Sequence, residues 1–307
     1  MAQQQSPSIR IQSPFPDDKA EVATLWQMVF GDSDAFINLF FSRVYKPENT
    51  LVAKRGNHIV SALQMIPYDI KIAGNIYPSA YVCGVCTHPS ERGKGIMKTL
   101  MTAAMEQMHR RAYTLSTLIP AEPWLFDFYK PFGYTIPVNY LVETHVMPPS
   151  TTPSLYSFAE CHDNHHFPFY NQKQLERKNV LLHSEHDYKT ILYDLVQVNG
   201  NAYVALEENQ PVGIAFAQPK SENKIIIKDI LYNNPTIKDA LVHHISNIFQ
   251  SQTIEVHLPV NTKEKTFPEK HLLQPSLQKI HPYGLACILN DTTVTTIPDL
   301  YMALMLD

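Results

Sequence analysis

The stretch from Cys83 to Lys98, Cys-Gly-Val-Cys-Thr-His-Pro-Ser-Glu-Arg-Gly-Lys-Gly-Ile-Met-Lys, constrains the fold more than any other part of the chain. An apolar run near Val82 to Cys86 reads as a strand. A short polar turn follows, and Arg92-Gly93-Lys94-Gly95 then opens a periodic helix from Ile96 to His109. Glycines let a backbone approach a ligand closely, and the first N–H groups of a helix have no partner inside it. Those donors, with the positive end of the helix dipole, form an anion site suited to a pyrophosphate. Arg92, Lys94 and Lys98 add positive charge beside it. An ordinary strand-to-helix turn with a solvated basic edge uses the same residues, since short glycine motifs recur by chance.

A second pattern lies just downstream. Leu115 to Pro120 reads as a strand. Trp124 to Tyr134 reads as a short aromatic helix running into a Phe132-Gly133-Tyr134 turn.

Together these residues resemble the GCN5-related N-acetyltransferase (GNAT) superfamily, whose acetyl-CoA loop has the form Arg-x-x-Gly-x-Gly/Ala. Arg92 to Ile96 fit that form, and Met97 stands where Gly or Ala is usual. The resemblance narrows to the Eis-like acetyltransferases, which join two GNAT-type domains in one chain. Leu25 to Asp32 and the ending Tyr301 to Asp307 also look like that group. Larger Eis-like proteins carry a further sterol-carrier-like domain, for which this chain is too short as well as two complete GNAT units.

The resemblance implies an α/β fold of mixed sheets: tandem GNAT-like domains, the second degenerate. It also implies a cofactor site. Two strands splay, and the pantetheine arm of acetyl-CoA pairs with backbone at Val85, Cys86 and Thr87. N–H groups from Gly93, Lys94, Gly95, Ile96, Met97 and Lys98, beside Arg92, hold the pyrophosphate. The thioester is expected near Leu118 to Pro120. Tyr129 matches the tyrosine that protonates the leaving thiolate. A phenol with a pKa of ~10 is protonated at neutral pH and can act this way, although aromatic residues at this spacing also build cores. The carboxylates of the terminal Asp307 are candidates to accept the amine proton, and a frayed terminus is the competing reading. Glu122, Trp124 and Phe126 are candidates to line the acceptor site, with Phe128 beside them. His88 follows the cofactor strand.

The two halves read as one plan used twice. The hairpin at 50–62 is echoed at 202–215, and the strand near Val82 by Lys224–Leu231. The helix from Ile96 is echoed by Ile237–Phe249, Leu115–Pro120 by Ile254–Pro259, and Pro131–Tyr134 by Pro282–Leu285. Helices are expected over Asp17–Val29, Asp34–Tyr45, Gln172–Leu182 and Asp187–Val198, and a strand-like run from Leu300. The second copy has Asn233-Asn234-Pro235 before its helix, which turns and caps but supplies neither glycine nor charge. It is therefore expected not to hold CoA. The Pro- and Ser-rich run from Met147 to Ser154 marks the expected boundary, giving units 1–147 and 148–307.

The four cysteines do not read as a metal site. Cys83 and Cys86 lie in one predicted strand, where residues three apart face opposite sides, and no second C-x-x-C completes a ligand set. The His-rich run from Cys161 to His166 reads as a solvated loop, so no metal is expected. Free thiols and the lack of a signal pattern at the start indicate a cytoplasmic protein. No apolar run reaches the roughly 18 residues of a membrane span. The net charge of −4 argues against nucleic acid.

The expected function is acetyl-CoA-dependent N-acetyl transfer to an amine, by direct attack on the thioester. The acceptor, a small molecule or a protein lysine, is expected near the cleft between the units. Two alternatives stand beside it: a CoA-binding sensor without turnover, and a tandem-GNAT aminoacyl transferase using charged tRNA. Eis-like proteins commonly assemble, so a homo-oligomer is possible.

Overall fold

The computed structural model describes residues 8–147, 154–260, 273–290, 294 and 297–306. The expected boundary run falls mostly outside them.

The first half begins with β1 (Ile9–Gln12), α1 (Lys19–Phe30) and α2 (Asp34–Arg43). Gly31, at φ 73°, ends α1, and the Ser33 hydroxyl caps α2 by accepting the Phe36 N–H. β2 (Thr50–Arg55), β3 (His58–Ile72) and β4 (Asn75–Thr87) form a meander. α3 (Ile96–Arg110), β5 (Leu115–Leu118), α4 (Leu125–Tyr129) and β6 (Ile136–Val146) complete the half.

The second half follows the same order. β7 (Ser157–Cys161) precedes α5 (Phe167–Glu176), β8 (Asn179–Leu182) and α6 (Glu185–Gln197). β9 (Asn201–Glu207), β10 (Gln210–Ser221) and β11 (Lys224–Tyr232) form the second meander. α7 (Pro235–Phe249), β12 (Thr253–Leu258) and β13 (Leu277–Ile288) end it.

All the strands join one mixed sheet of order β1-β2-β3-β4-β5-β13-β6-β12-β11-β10-β9-β7, with β8 on the far end of β3. The order is symmetric about its centre, where each half lends its last strand to the other. β13 lies between β5 and β6, and β6 lies between β13 and β12. α2 packs on α6, so the two helix pairs share one face. His186 Nε2 lies 2.9 Å from the Arg43 carbonyl across that contact. α3 packs on β2, β3 and β4, and α7 on β9, β10 and β11. Each half thus has one apolar cluster under its helix pair and one under its long helix.

Three expectations need correction. The helix expected over Gln172–Leu182 stops at Glu176, and Asn179–Leu182 instead pair with Asp69–Ile72 of β3. The backbone donors of β3 there need partners, and Val180 and Leu181 bury as they supply them. The run from Leu300 is a buried strap rather than a strand, with a single bridge, Tyr301 to Val180, among the described residues. Pro282-Tyr283-Gly284 is not a turn like its supposed counterpart. It is a bulge inside β13, where Gly284 passes so close to the Leu118 carbonyl that a Cβ would sit 2.5 Å away.

Candidate active site

The site is built where β4 outruns β5. The two strands are parallel and paired from Ser79–Leu115 to Val82–Leu118, after which β5 ends and β4 continues to Thr87. At the same point β4 bulges against β3: Ala62 faces Cys86, while Gln64 faces Cys83. Gly84, at φ 57°, makes the bulge possible. The bulge overturns the expectation for the two cysteines. Both are buried in the one cluster beneath α1 and α2, because the extra residue resets the alternation of sides. The Cys86 thiol is pushed up to about 12 by burial.

Cys86 and Thr87 present carbonyls that already accept from the protein. The Ser61 hydroxyl donates to the Cys86 carbonyl at 2.7 Å, and Arg92 Nε donates to the Thr87 carbonyl at 3.2 Å. Val85 is half-buried between them and the bulge. A short 3-10 turn, Pro89–Glu91, then leads to the loop. His88 caps it, its Nδ1 lying 2.8 Å from the Ser90 hydroxyl.

Gly93 and Gly95 both sit at φ 76°, in the left-handed region that favours glycine, and a Cβ on either would meet nothing within 4 Å. The loop is therefore open on the side where a ligand would lie. Gly95 is the N-cap of α3, so the N–H groups of Ile96, Met97 and Lys98 are the free donors of its first turn. A pocket of about 250 Å³ lies over them, lined by Thr87, Gly93, Gly95, Met97, Lys98 and also Phe128 of α4. Met97 packs half-buried against the cluster beneath α3 as well as lining this pocket.

The loop's charges are uneven. Lys98 is exposed and takes no ion pair among the described residues. Lys94 is held by Glu91 at 3.2 Å, and Glu91 is also held by Arg55 at 2.8 Å. The Arg55 hydrogen bond leads in holding the Glu91 carboxyl below its usual range. Glu91 is a loop-shaping residue that sequence reasoning missed. Its three-residue spacing to Lys94 was the available signal.

Tyr129 is buried beside Phe128 and Tyr134, with ring centroids at 5.1 and 6.1 Å. Burial pushes its phenol above the ordinary value. Its hydroxyl takes no hydrogen bond among the described residues. Phe126 is half-buried against the same cluster. Trp124, 65% exposed, and Glu122, also exposed, stand outside it on the rim before α4. The structure thus brings together Thr87, the loop and α4, and leaves Glu122 and Trp124 at the periphery. Asp307 lies outside the described residues. The strap before it runs to the site, with Met302 and Met305 in the cluster that holds Cys83, Cys86 and Ile119.

The second half repeats the splay but fills it. β11 and β12 are parallel and paired only from Lys224–Thr253 to Ile227–Val256, and β11 bulges against β10 just beyond. Where the first half has Gly84, the second has Asp229, which is buried and held by both terminal nitrogens of Arg177 at 2.9 and 2.6 Å. The Tyr301 hydroxyl donates to Asp229 at 3.1 Å, and the Arg177 guanidinium stacks over the Tyr301 ring at 4.7 Å. The strap is fixed there by backbone bonds between Tyr301 and the residues Asn179 and Leu181. Removing the hydroxyl in Tyr301→Phe strips a bond from a buried charge. It is expected to cost about 2 kcal/mol in urea unfolding.

Among the described residues no three His, Cys, Asp or Glu side chains gather as a metal site, and no helix is long and apolar enough to cross a membrane.

A mixed sheet with a splay, a bulge and a glycine loop on a helix N-terminus is an architecture built around an anion-binding helix start. Residues 10–136 match the acetyltransferase (GNAT) domain family, so the first half of the chain carries a GNAT domain. No curated protein matches the chain. Solved structures share the fold across both halves. A GCN5-related N-acetyltransferase from Anabaena variabilis is 14% identical, with a TM-score of 0.74 over 92% of this chain and 73% of that one. A probable N-acyltransferase from Enterococcus faecalis is 16% identical, with a TM-score of 0.73 over 92% and 73%. Eis1 from Mycobacterium abscessus is 16% identical, with a TM-score of 0.66 over 92% and 74%.

Proposed function

We propose that the protein is an acetyl-CoA-dependent N-acetyltransferase that acetylates an amine by direct attack on the thioester. The observation that carries this reading is the open loop. Gly93 and Gly95 turn through positive φ with nothing where a Cβ would point, above the free N–H groups of α3. That cradle suits a pyrophosphate, and Lys98 adds charge beside it. In this reading the backbone at Val85, Cys86 and Thr87 aligns the pantetheine arm along the unpaired end of β4, and unit 1–147 is the cofactor-binding unit. Unit 148–307 holds no CoA, since the Arg177–Asp229–Tyr301 cluster occupies its splay.

Each residue then has a defined task. Tyr129 gives its phenolic proton to the thiolate sulfur as the C–S bond breaks. The acceptor nitrogen forms the new C–N bond, and its proton passes to a base, for which the Asp307 carboxylates are the candidate. Glu122, Trp124 and Phe126 border the acceptor's approach. A covalent route through Cys86 is disfavoured, because a thiol held at about 12 has little thiolate at neutral pH.

The test is calorimetric titration with acetyl-CoA. Wild type is expected to bind saturably, and Gly93→Glu, which puts bulk and negative charge into the open loop, to lose detectable binding while staying folded, its melting lowered only by the roughly 1 kcal/mol of strain at a positive φ. An amine screen follows, since binding without turnover on any amine would favour the sensor alternative. Absence of binding by wild type would remove the enzyme reading.

A further inference from the structure

A second cleft, of about 660 Å³, opens between the two halves and shares no lining residue with the loop pocket. Its walls are apolar and aromatic: Ile66 and Tyr68 of β3 and Pro78 of β4 face Phe167 and Leu175 of α5 and Leu182 of β8. Pro78 and Thr87 stand near opposite ends of β4, roughly 30 Å apart along an extended strand. The cleft is therefore remote from the glycine loop. Its size falls in the ordinary range for small-molecule sites, and a junction between two units is where such sites form.

His183 supplies the polar feature inside. It is buried, and its backbone is locked on both sides: the His183 N–H donates to Gln174 Oε1, and Gln174 Nε2 donates to the His183 carbonyl, both at 2.9 Å. Its ring stands edge-on to Tyr68 at 5.7 Å, and its Nδ1 lies 3.1 Å from the Tyr170 hydroxyl. Its Nε2 is buried with no hydrogen-bond partner among the described residues. A buried polar atom left alone is costly and rare. The Tyr68 hydroxyl also takes no partner among the described residues. Two opposite charges border the cleft. Lys46 and Asp69 line it, both are exposed, and neither takes an ion pair among the described residues. The other charged groups are engaged: Asp187 accepts from the Ser184 N–H and hydroxyl, and Arg43 stacks over Tyr193 at 4.0 Å.

We propose that this cleft is a second small-molecule site and that it takes an aromatic zwitterion, an aromatic α-amino acid with a polar group on its ring. The ring lies among Tyr68, Phe167 and Leu182, and its hydroxyl or N–H meets His183 Nε2. The ammonium pairs with Asp69 and the carboxylate with Lys46.

L-tyrosine and L-phenylalanine are the probes, titrated into the full chain by calorimetry. L-tyrosine is expected to bind saturably and about tenfold more tightly than L-phenylalanine, as one hydrogen bond to a buried partner allows. His183→Leu should abolish that difference. Asp69→Asn, on an exposed rim where folding is not at stake, should weaken both probes about tenfold. Gly93→Glu should change neither. Absence of saturable L-tyrosine binding, or binding indifferent to both cleft variants, would overturn the proposal. So would acetyl-CoA-dependent formation of N-acetyltyrosine that Asp69→Asn suppresses, since the cleft would then be the acceptor site.

Discussion

Gly84→Ala is expected to cost about 4 kcal/mol or more, lowering the thermal midpoint by about 10 °C or preventing folding. A Cβ at this position would lie 2.1 Å from Trp26 Cζ3 and 2.2 Å from Gln64 Oε1. The Gln64 amide is the end of a flexible side chain and can swing away. The Trp26 ring cannot, because its Nε1 donates to Asp32 at 2.7 Å and its face meets Phe40 with ring centroids 4.5 Å apart. The backbone is also at φ 57°, which an alanine adopts only with strain. Gly56→Ala separates the two contributions. Gly56 turns β2 into β3 at φ 62° with nothing within 4 Å, so it carries the strain without the collision and should cost about 1 kcal/mol. Thermal unfolding followed by circular dichroism compares the two. Equal midpoints would mean that Trp26 yields, and that the bulge does not depend on glycine.

The bulge also explains which parts of the site the sequence disclosed. The loop was legible because its chemistry restricts residue types locally: close backbone approach needs glycine, and a helix start announces itself by periodicity. Gly84 belongs to the same site, yet within a run of Cys, Gly and Val it reads as an ordinary strand residue. Alternation then assigns Cys83 and Cys86 to opposite sides, when in fact they share one. The tail of α5 failed for a related reason. Asn179-Val-Leu-Leu continues a helical pattern well enough, and only the open edge of β3 makes it a strand. Each half's element order was readable as a repeat. The exchange of β6 and β13 was not, because strand order in a sheet is set by partners far away in the chain.

The strap shows the same limit. From Leu300 to Met305 its apolar residues are divided between the halves: Leu300, Met302 and Met305 enter the cluster under α1 and α2, while Tyr301, Ala303 and Leu304 enter the one under α5 and α6. In the sequence this reads as a strand-like run. In the fold it is a seam. Tyr301 anchors it in the splay filled by Arg177 and Asp229, and Met302 and Met305 reach the cluster beside the splay with the open loop. The filled splay of the second half thus holds the segment that packs beneath α1 and α2 of the first.

Tyr129→Phe is expected to lower kcat by 10²-fold or more while leaving acetyl-CoA affinity within about threefold. The substitution is unusually clean. The ring stays to pack against Phe128 and Tyr134, and the hydroxyl that is lost bonds no described residue, so the melting midpoint should hold. A purely structural Tyr129 predicts no change in turnover, and a proton donor predicts a large one. The pH dependence carries the sign. Burial raises the phenol above its ordinary value, so the donor stays protonated up to and beyond that value. Wild-type kcat should therefore rise with pH as the acceptor amine loses its proton, with no descending limb below about pH 10. Steady-state rates between pH 6 and pH 10, with acetyl-CoA binding measured on both proteins, make the comparison. A variant within threefold of wild type in kcat, or a wild-type rate that falls above pH 8, would remove Tyr129 as the acid and leave it as one more ring in the wall beneath α3.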